Sequence, residues 1–187
     1  RFSPQIKKMK TLISVSNNPK SFIITVNSGV VPPEHWTQNM KIGGGRIIGE
    51  ACHFIDLMLF LSGSEIKSWS ISSIQNDGKK DIASINLTFD SGSIGTIHYL
   101  SNGSKDFPKE RVEVFFDGKV IQLDNFRQMK GFGTKNFRKM NLFRQDKGHK
   151  MIVSSFIQAI KNGDSSPIPP DQLISISKTA INISKEL

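Results

Sequence analysis

Four ionisable side chains recur along one stretch of the chain: Arg46, Glu50, His53 and Asp56. At roughly 100° per helical residue they fall within an arc of about 120°. Those residue types on one stripe make acid/base equipment. An ordinary imidazole titrates near neutrality and is suited to taking a hydroxyl proton. A neighbouring carboxylate fixes its tautomer and stabilises its cation. A guanidinium adds a bidentate grip on a carboxylate or phosphate. The plain alternative makes Arg46 and Glu50 a surface helix pair and His53 a satisfied core histidine. Arginine before glutamate is the weaker order for such a pair, because the cation sits at the positive end of the helix dipole.

The stripe is carried by a run that opens after Gly43-Gly44-Gly45 and closes near Ser62-Gly63. Outside the stripe every direction of this helix is apolar or small. A helix of that kind belongs in an interior, where unpaired charges are costly, so its stripe is expected to face buried partners or a cleft. The preceding loop, residues 32–42, carries His35, Trp36, Gln38 and Asn39 and is a candidate wall of a polar pocket; a packed Trp36 is the simpler reading. Gly43, Gly45 and Gly49 imitate a dinucleotide-binding loop. Such a loop requires a buried strand running straight into it, and here a polar, proline-marked segment intervenes. Gly44 and Gly45 are better placed to allow close backbone approach to a cofactor or substrate held by another domain.

Around this helix the pattern predicts an α+β domain. Residues 1–15 read as an amphipathic helix with Ser3-Pro4 at its start, and residues 22–31 as a buried strand. Beyond Gly63, the segments 68–74, 82–89, 93–99, 111–116 and 119–123 alternate apolar with polar residues. Asn76-Asp77-Gly78, Asp90-Ser91-Gly92 and Asp117-Gly118 are their turn signals. This predicts a mainly antiparallel open sheet with helices on one face. Its other face, rich in Ser, Thr and Asn and nearly free of charge, suits a subunit interface. Residues 126–147 read as an irregular basic stretch, followed by helices around 151–160 and after Pro169-Pro170.

The bulk numbers bound the function. At 187 residues with 37% hydrophobic content, the chain supports one well-cored domain. It holds no apolar run of the roughly 20 residues that spans a bilayer. It opens on Arg1 inside a helix entry, which predicts a segment of a longer protein. The single cysteine, Cys52, excludes an intramolecular disulfide and fits a reducing cytoplasm, and one Cys with four His gives no zinc spacing. The net charge of +9 raises nucleic acid as a partner. Its excess lies between Arg127 and Lys150, interleaved with Phe132, Phe137 and Phe143, but no nucleic-acid-binding motif accompanies it.

The glycine run, the helix through His53-Phe54-Ile55-Asp56-Leu57, the antiparallel strands after it and Lys147-Gly148-His149 before a late helix together resemble the C-terminal domain of Gfo/Idh/MocA oxidoreductases. The resemblance extends over the whole chain as a single substrate and oligomerisation domain. It implies that a Rossmann domain binding NAD or NADP, and a catalytic lysine, lie outside this chain. The implied full-length enzyme oxidises a sugar, nucleotide sugar or polyol by hydride transfer, and this domain alone is expected to be inactive. By position His53 matches the family's active-site histidine and Asp56 a supporting aspartate. Gly49 stands where the family often has an aspartate four residues before the histidine, so Glu50 either takes the orienting role from a shifted position or the chemistry differs. The resemblance also implies a homodimer or homotetramer formed through the open sheet. The rival reading is a non-enzymatic assembly module that binds an anionic partner through residues 127–150.

Overall fold

The protein is described from a computed structural model of residues 1–187, except 33, 40, 77 and 78; the side chains of residues 75–80 are also outside the description. The turn expected at Asn76-Asp77-Gly78 therefore lies outside the described residues. Helix α1 (Pro4–Ile13) begins with proline in its first turn and turns Ile6, Met9 and Ile13 inward. Strand β1 (Ser21–Asn27) follows. After a 3₁₀ turn (Trp36–Gln38), a π-helical turn (Ile47–Ala51) runs into α2 (Cys52–Ser62). Gly63, left-handed at φ 68°, closes α2 with its N–H on Leu59 O.

Seven further strands come next: β2 (Ile66–Asn76), β3 (Lys79–Phe89), β4 (Ile94–Leu100), β5 (Glu110–Phe116), β6 (Lys119–Asp124), β7 (Gln128–Phe132) and β8 (Lys139–Asn141). Helices α3 (His149–Asn162) and α4 (Pro170–Glu186) end the chain. The strands form one sheet in the order β2-β3-β4-β1-β5-β6-β7-β8. All neighbours run antiparallel except β1 and β4, which pair parallel from Ser21↔Ile94 to Asn27↔Leu100. The antiparallel expectation holds outside this central join. β7 and β8 fall in the segment expected to be irregular. Only Met129 of β7 is fully buried, so the alternation that marks a strand is one residue deep there.

The period-2 pattern places Phe22, Ile24, Val26, Ile85, Leu87, Ile97, Val112 and Val114 on one face, against Phe54, Ile55, Met58 and Leu59 of α2 and the buried stripe of α1. The closest approach of helix to sheet is at Gly95, where an added Cβ would overlap the Met58 side chain. The opposite face carries registered rows such as Ser70–Asn86–Thr96–Ile23–Glu113–Gln122 and Ser68–Thr88–Ile94–Ser21–Phe115–Val120. Ile94, Phe115 and Phe132 stand exposed on it. Helix α3 buries only Ala159 and leaves Ile152, Val153, Phe156, Ile157 and Ile160 exposed.

Candidate active site

The π-helical turn divides the ionisable stripe. Cys52 N–H reaches back five residues to Ile47 O rather than four. That wider turn breaks the 100° spacing on which a straight wheel depends. Arg46 consequently points into the protein. Its side chain is 6% exposed. It donates to Gly29 O at 2.8 Å and Ser28 O at 3.5 Å, and lies 3.2 Å from Glu50 Oε2 and 3.7 Å from Asp81 Oδ2. The guanidinium also stacks over the Tyr99 ring at 5.4 Å. Expected as a substrate anchor, Arg46 is instead a buried tie between helix and sheet.

Glu50 stands at the junction. Its Oε2 accepts from the Tyr99 hydroxyl and its Oε1 from Lys109 Nζ at 2.7 Å. Burial pushes its carboxyl up, but the hydrogen bonds from Lys109 and Tyr99 and the charges of Lys109 and Arg46 outweigh this and hold it below the ordinary value. The Tyr99 hydroxyl is driven upward by burial and by the bond to Glu50, so it stays a donor. Both Glu50 oxygens are thus committed, and no hydrogen bond joins them to His53 among the described residues. Glu50 does not hold the imidazole in the way expected of an orienting carboxylate.

Past the π turn, His53 and Asp56 open onto a cavity of about 570 Å³. Glu50 and Cys52 share the α2 wall with them, and burial pushes the Cys52 thiol up. Arg1 closes one side. Its guanidinium donates to both Asp56 oxygens, at 2.7 to 3.0 Å, and to Gln172 Oε1 at 2.7 Å. Asp56 is therefore clamped between α2, the chain's first residue and α4. Further walls come from Glu110 at the start of β5, from Lys147, Gly148 and His149 at the start of α3, and from Leu173, Ile176 and Ser177 of α4. Gly148 has φ 85°, and an added Cβ would run into the Phe2–Ser3 backbone. Only glycine lets this turn lie so close, and its flanking residues Lys147 and His149 are set at the cavity by that contact.

His53 is exposed at this cavity. His35 and Trp36 do not line it: His35 Nδ1 lies 2.7 Å from Thr37 Oγ1, and Trp36 is 58% exposed. Gly44 (φ 68°) and Gly45 (φ 81°) shape the turn into the helix, and an added Cβ at Gly44 would meet the Ile48 side chain at 3.4 Å. Their left-handed φ values are themselves a reason for glycine at both positions. Glu110, Lys147, His149 and Tyr99 were not among the expected site residues. A charged pair flanking a glycine directly before a helix is the one local signal for Lys147 and His149. Among the described residues no three His, Cys, Asp or Glu gather in a way that could hold a metal, and no helix is long and apolar enough to cross a membrane.

The basic stretch lies across β7, β8 and their loops. Phe126 and Phe137 pack into the core, while Phe143 projects outward beside Arg144. Lys130 and Lys139 face each other in register on the last two strands.

The whole architecture recurs in solved dehydrogenases. A dehydrogenase (MviM) from Clostridium difficile superposes with a TM-score of 0.77 at 19% identity, covering 100% of this chain and 60% of its own. UDP-N-acetylglucosamine 3-dehydrogenase GnnA from Acidithiobacillus ferrooxidans gives 0.78 at 14%, covering 100% and 59%. An aldose-aldose oxidoreductase from Caulobacter crescentus, complexed with glycerol, gives 0.78 at 16%, covering 100% and 60%. The fold is thus one built into oxidoreductases, and this chain spans about 60% of the length of the solved chains it matches. No curated protein matches it by sequence. The model of the GFO/IDH/MocA C-terminal domain matches residues 18–122, and the chain belongs to that family.

Proposed function

We propose that this chain is the substrate-binding and assembly domain of an NAD- or NADP-dependent oxidoreductase acting on a sugar, nucleotide sugar or polyol. The observation that carries the reading is His53, exposed at a cavity of about 570 Å³ whose other polar lining includes Arg1, Glu110 and Lys147, from separate parts of the fold. That volume suits a small-molecule ligand. A bound nicotinamide, held by residues outside this chain, supplies the hydride acceptor. His53 takes the proton of the substrate hydroxyl, with Glu50 and Asp56 lining the same cavity beside it.

The exposed apolar side chains of α3 adjoin the cavity, where Ile152 lines its rim. We infer that the dinucleotide-binding domain of the same polypeptide covers this face and closes the site. The open sheet face, with Ile94, Phe115 and Phe132 exposed, is the proposed surface for a dimer or tetramer.

The test is turnover of the full-length protein on a panel of sugars and polyols with NAD and NADP. His53→Ala is expected to lower kcat by a factor of about 10² to 10⁴, the usual worth of a positioned acid/base. Unchanged turnover by that variant would remove His53 from the chemistry.

A further inference from the structure

The wall opposite α2 holds a charged pair that the acid/base reading does not use. Lys147 Nζ donates to Glu110 Oε1 at 2.7 Å. The Glu110 side chain is 4% exposed, and its second oxygen, Oε2, is buried with no hydrogen-bond partner among the described residues. A buried carboxylate oxygen without a donor is costly, so a protein that keeps one beside a cavity has left a place for a donor from elsewhere. The terminal carboxylate torsion is broad, so a modest rotation turns this oxygen toward a ligand while the bond to Lys147 persists.

The charges around the cavity are matched. Arg1 pairs with Asp56, Lys147 with Glu110, and Glu50 with Lys109. Arg46, the remaining strong cation of the stripe, is buried away from the cavity. A lining so balanced offers little net attraction to an anion and many acceptors and donors to a neutral ligand.

We propose that Glu110 and Lys147 form a specificity site for a neutral polyhydroxylated ring: Glu110 Oε2 accepts from one ligand hydroxyl and Lys147 donates to a neighbouring one, both remote from the carbon that His53 serves. The inference rests on the cavity being the substrate site. A hydroxyl-reading pair of this kind rejects an analogue that lacks the hydroxyl, because the carboxylate oxygen is then left unpaired.

The experiment uses the full-length protein with D-glucose, myo-inositol and the singly deoxygenated analogues of each. Binding is measured by calorimetry, and kcat and KM with NAD and NADP. In the wild type, one deoxy analogue should bind at least tenfold more weakly than its parent. In Glu110→Gln that discrimination should disappear, with KM for the parent raised about tenfold and kcat within a factor of two, since the contact is made equally in the ground and transition states. Lys147→Met should shift discrimination at the adjacent hydroxyl, and it serves where Glu110→Gln fails to fold, which its thermal midpoint reports. Glu110-dependent binding without any turnover would uphold this site while overturning the dehydrogenase reading. Turnover whose KM and analogue discrimination ignore both substitutions would overturn the site and spare that reading. No binding of either parent ring would overturn the proposed ligand class.

Discussion

The Tyr99 hydroxyl donates to Glu50 Oε2 from near the end of β4, so that this strand and the π-helical turn share one half-buried hydrogen bond. Arg46 and Lys109 complete the same cluster from two other segments. A hydrogen bond to a charged group is worth about 1.5–3 kcal/mol. Tyr99→Phe is therefore expected to lower unfolding stability by an amount in that range, read from denaturant midpoints. A loss below about 0.5 kcal/mol would mean that the cluster is water-exchanged rather than structural.

The same cluster sets a pH dependence. The folded Glu50 carboxyl lies below its ordinary value of 4.5, so between those two values the unfolded chain binds the extra proton. Stability from this group is fully present above the ordinary value and is lost as pH falls through the folded one. The stability advantage of wild type over Glu50→Gln should be flat from pH 7 to 5 and shrink on further acidification. An advantage that stays constant to pH 3 would contradict the cause assigned here.

Gly95 is where α2 lies nearest the sheet. A Cβ there would overlap Met58 and come within 3.1 Å of Phe22 Cβ. Overpacking of a close-packed core costs about 1–3 kcal/mol, and Gly95→Ala is expected in that range. Met58→Ala removes the obstructing side chain, so the double variant should cost less than the sum of the two single variants. Strict additivity would show that the alanine is accommodated somewhere else.

Gly148 holds two cavity residues in place by touching the backbone of Phe2 and Ser3. Gly148→Ala meets both a left-handed φ, a penalty of about 1–2 kcal/mol, and a backbone clash. Expected are a stability loss of at least about 2 kcal/mol and, for the full-length protein, weakened binding of the ligand proposed for the cavity, seen as a raised KM. A variant as stable as wild type would show that the 146–149 turn can move freely.

The outer sheet face makes a separate prediction about assembly. Phe115→Asp places a charge in the exposed apolar row and tests the proposed assembly: a full-length dimer or tetramer joined through this face should shift to smaller species in sedimentation velocity. Unaltered assembly would move the interface off this face.

What could be read in the sequence was local. The turns at Asp90-Ser91-Gly92 and Asp117-Gly118, the apolar run of α2 and the alternation of β3 to β6 each report their own structure within a dozen residues. The parallel seat of β1 beside β4 depends on partners far apart in the chain, and no local pattern encodes it. The site divides in the same way. That His53 and Asp56 open on one cavity follows from their spacing of three on one helix, which is local. Arg46 was misplaced because a single π turn rotates the residues before it relative to the body of α2. Tyr99 reads as an ordinary inward strand residue, and Glu110 as the first residue of a hairpin. Their roles arise only when strand and helix meet. Lys147 and His149 lie at the end of a basic stretch whose charge draws attention to its surface rather than to the glycine between them.

The parallel join has a consequence for how the chain is made. β1 is synthesised early, yet the strand that flanks it on one side, β4, comes roughly seventy residues later, and β5 later still. At about 5–20 residues per second, β1 leaves the ribosome seconds before either neighbour exists. Two bare edges of an apolar strand must wait through that interval, with α1 of the same domain already made and able to shelter one of its faces. The middle of the finished sheet thus cannot be zipped until β4 and β5 have both emerged, and the unpaired apolar edges of β1 are open to aggregation during that interval.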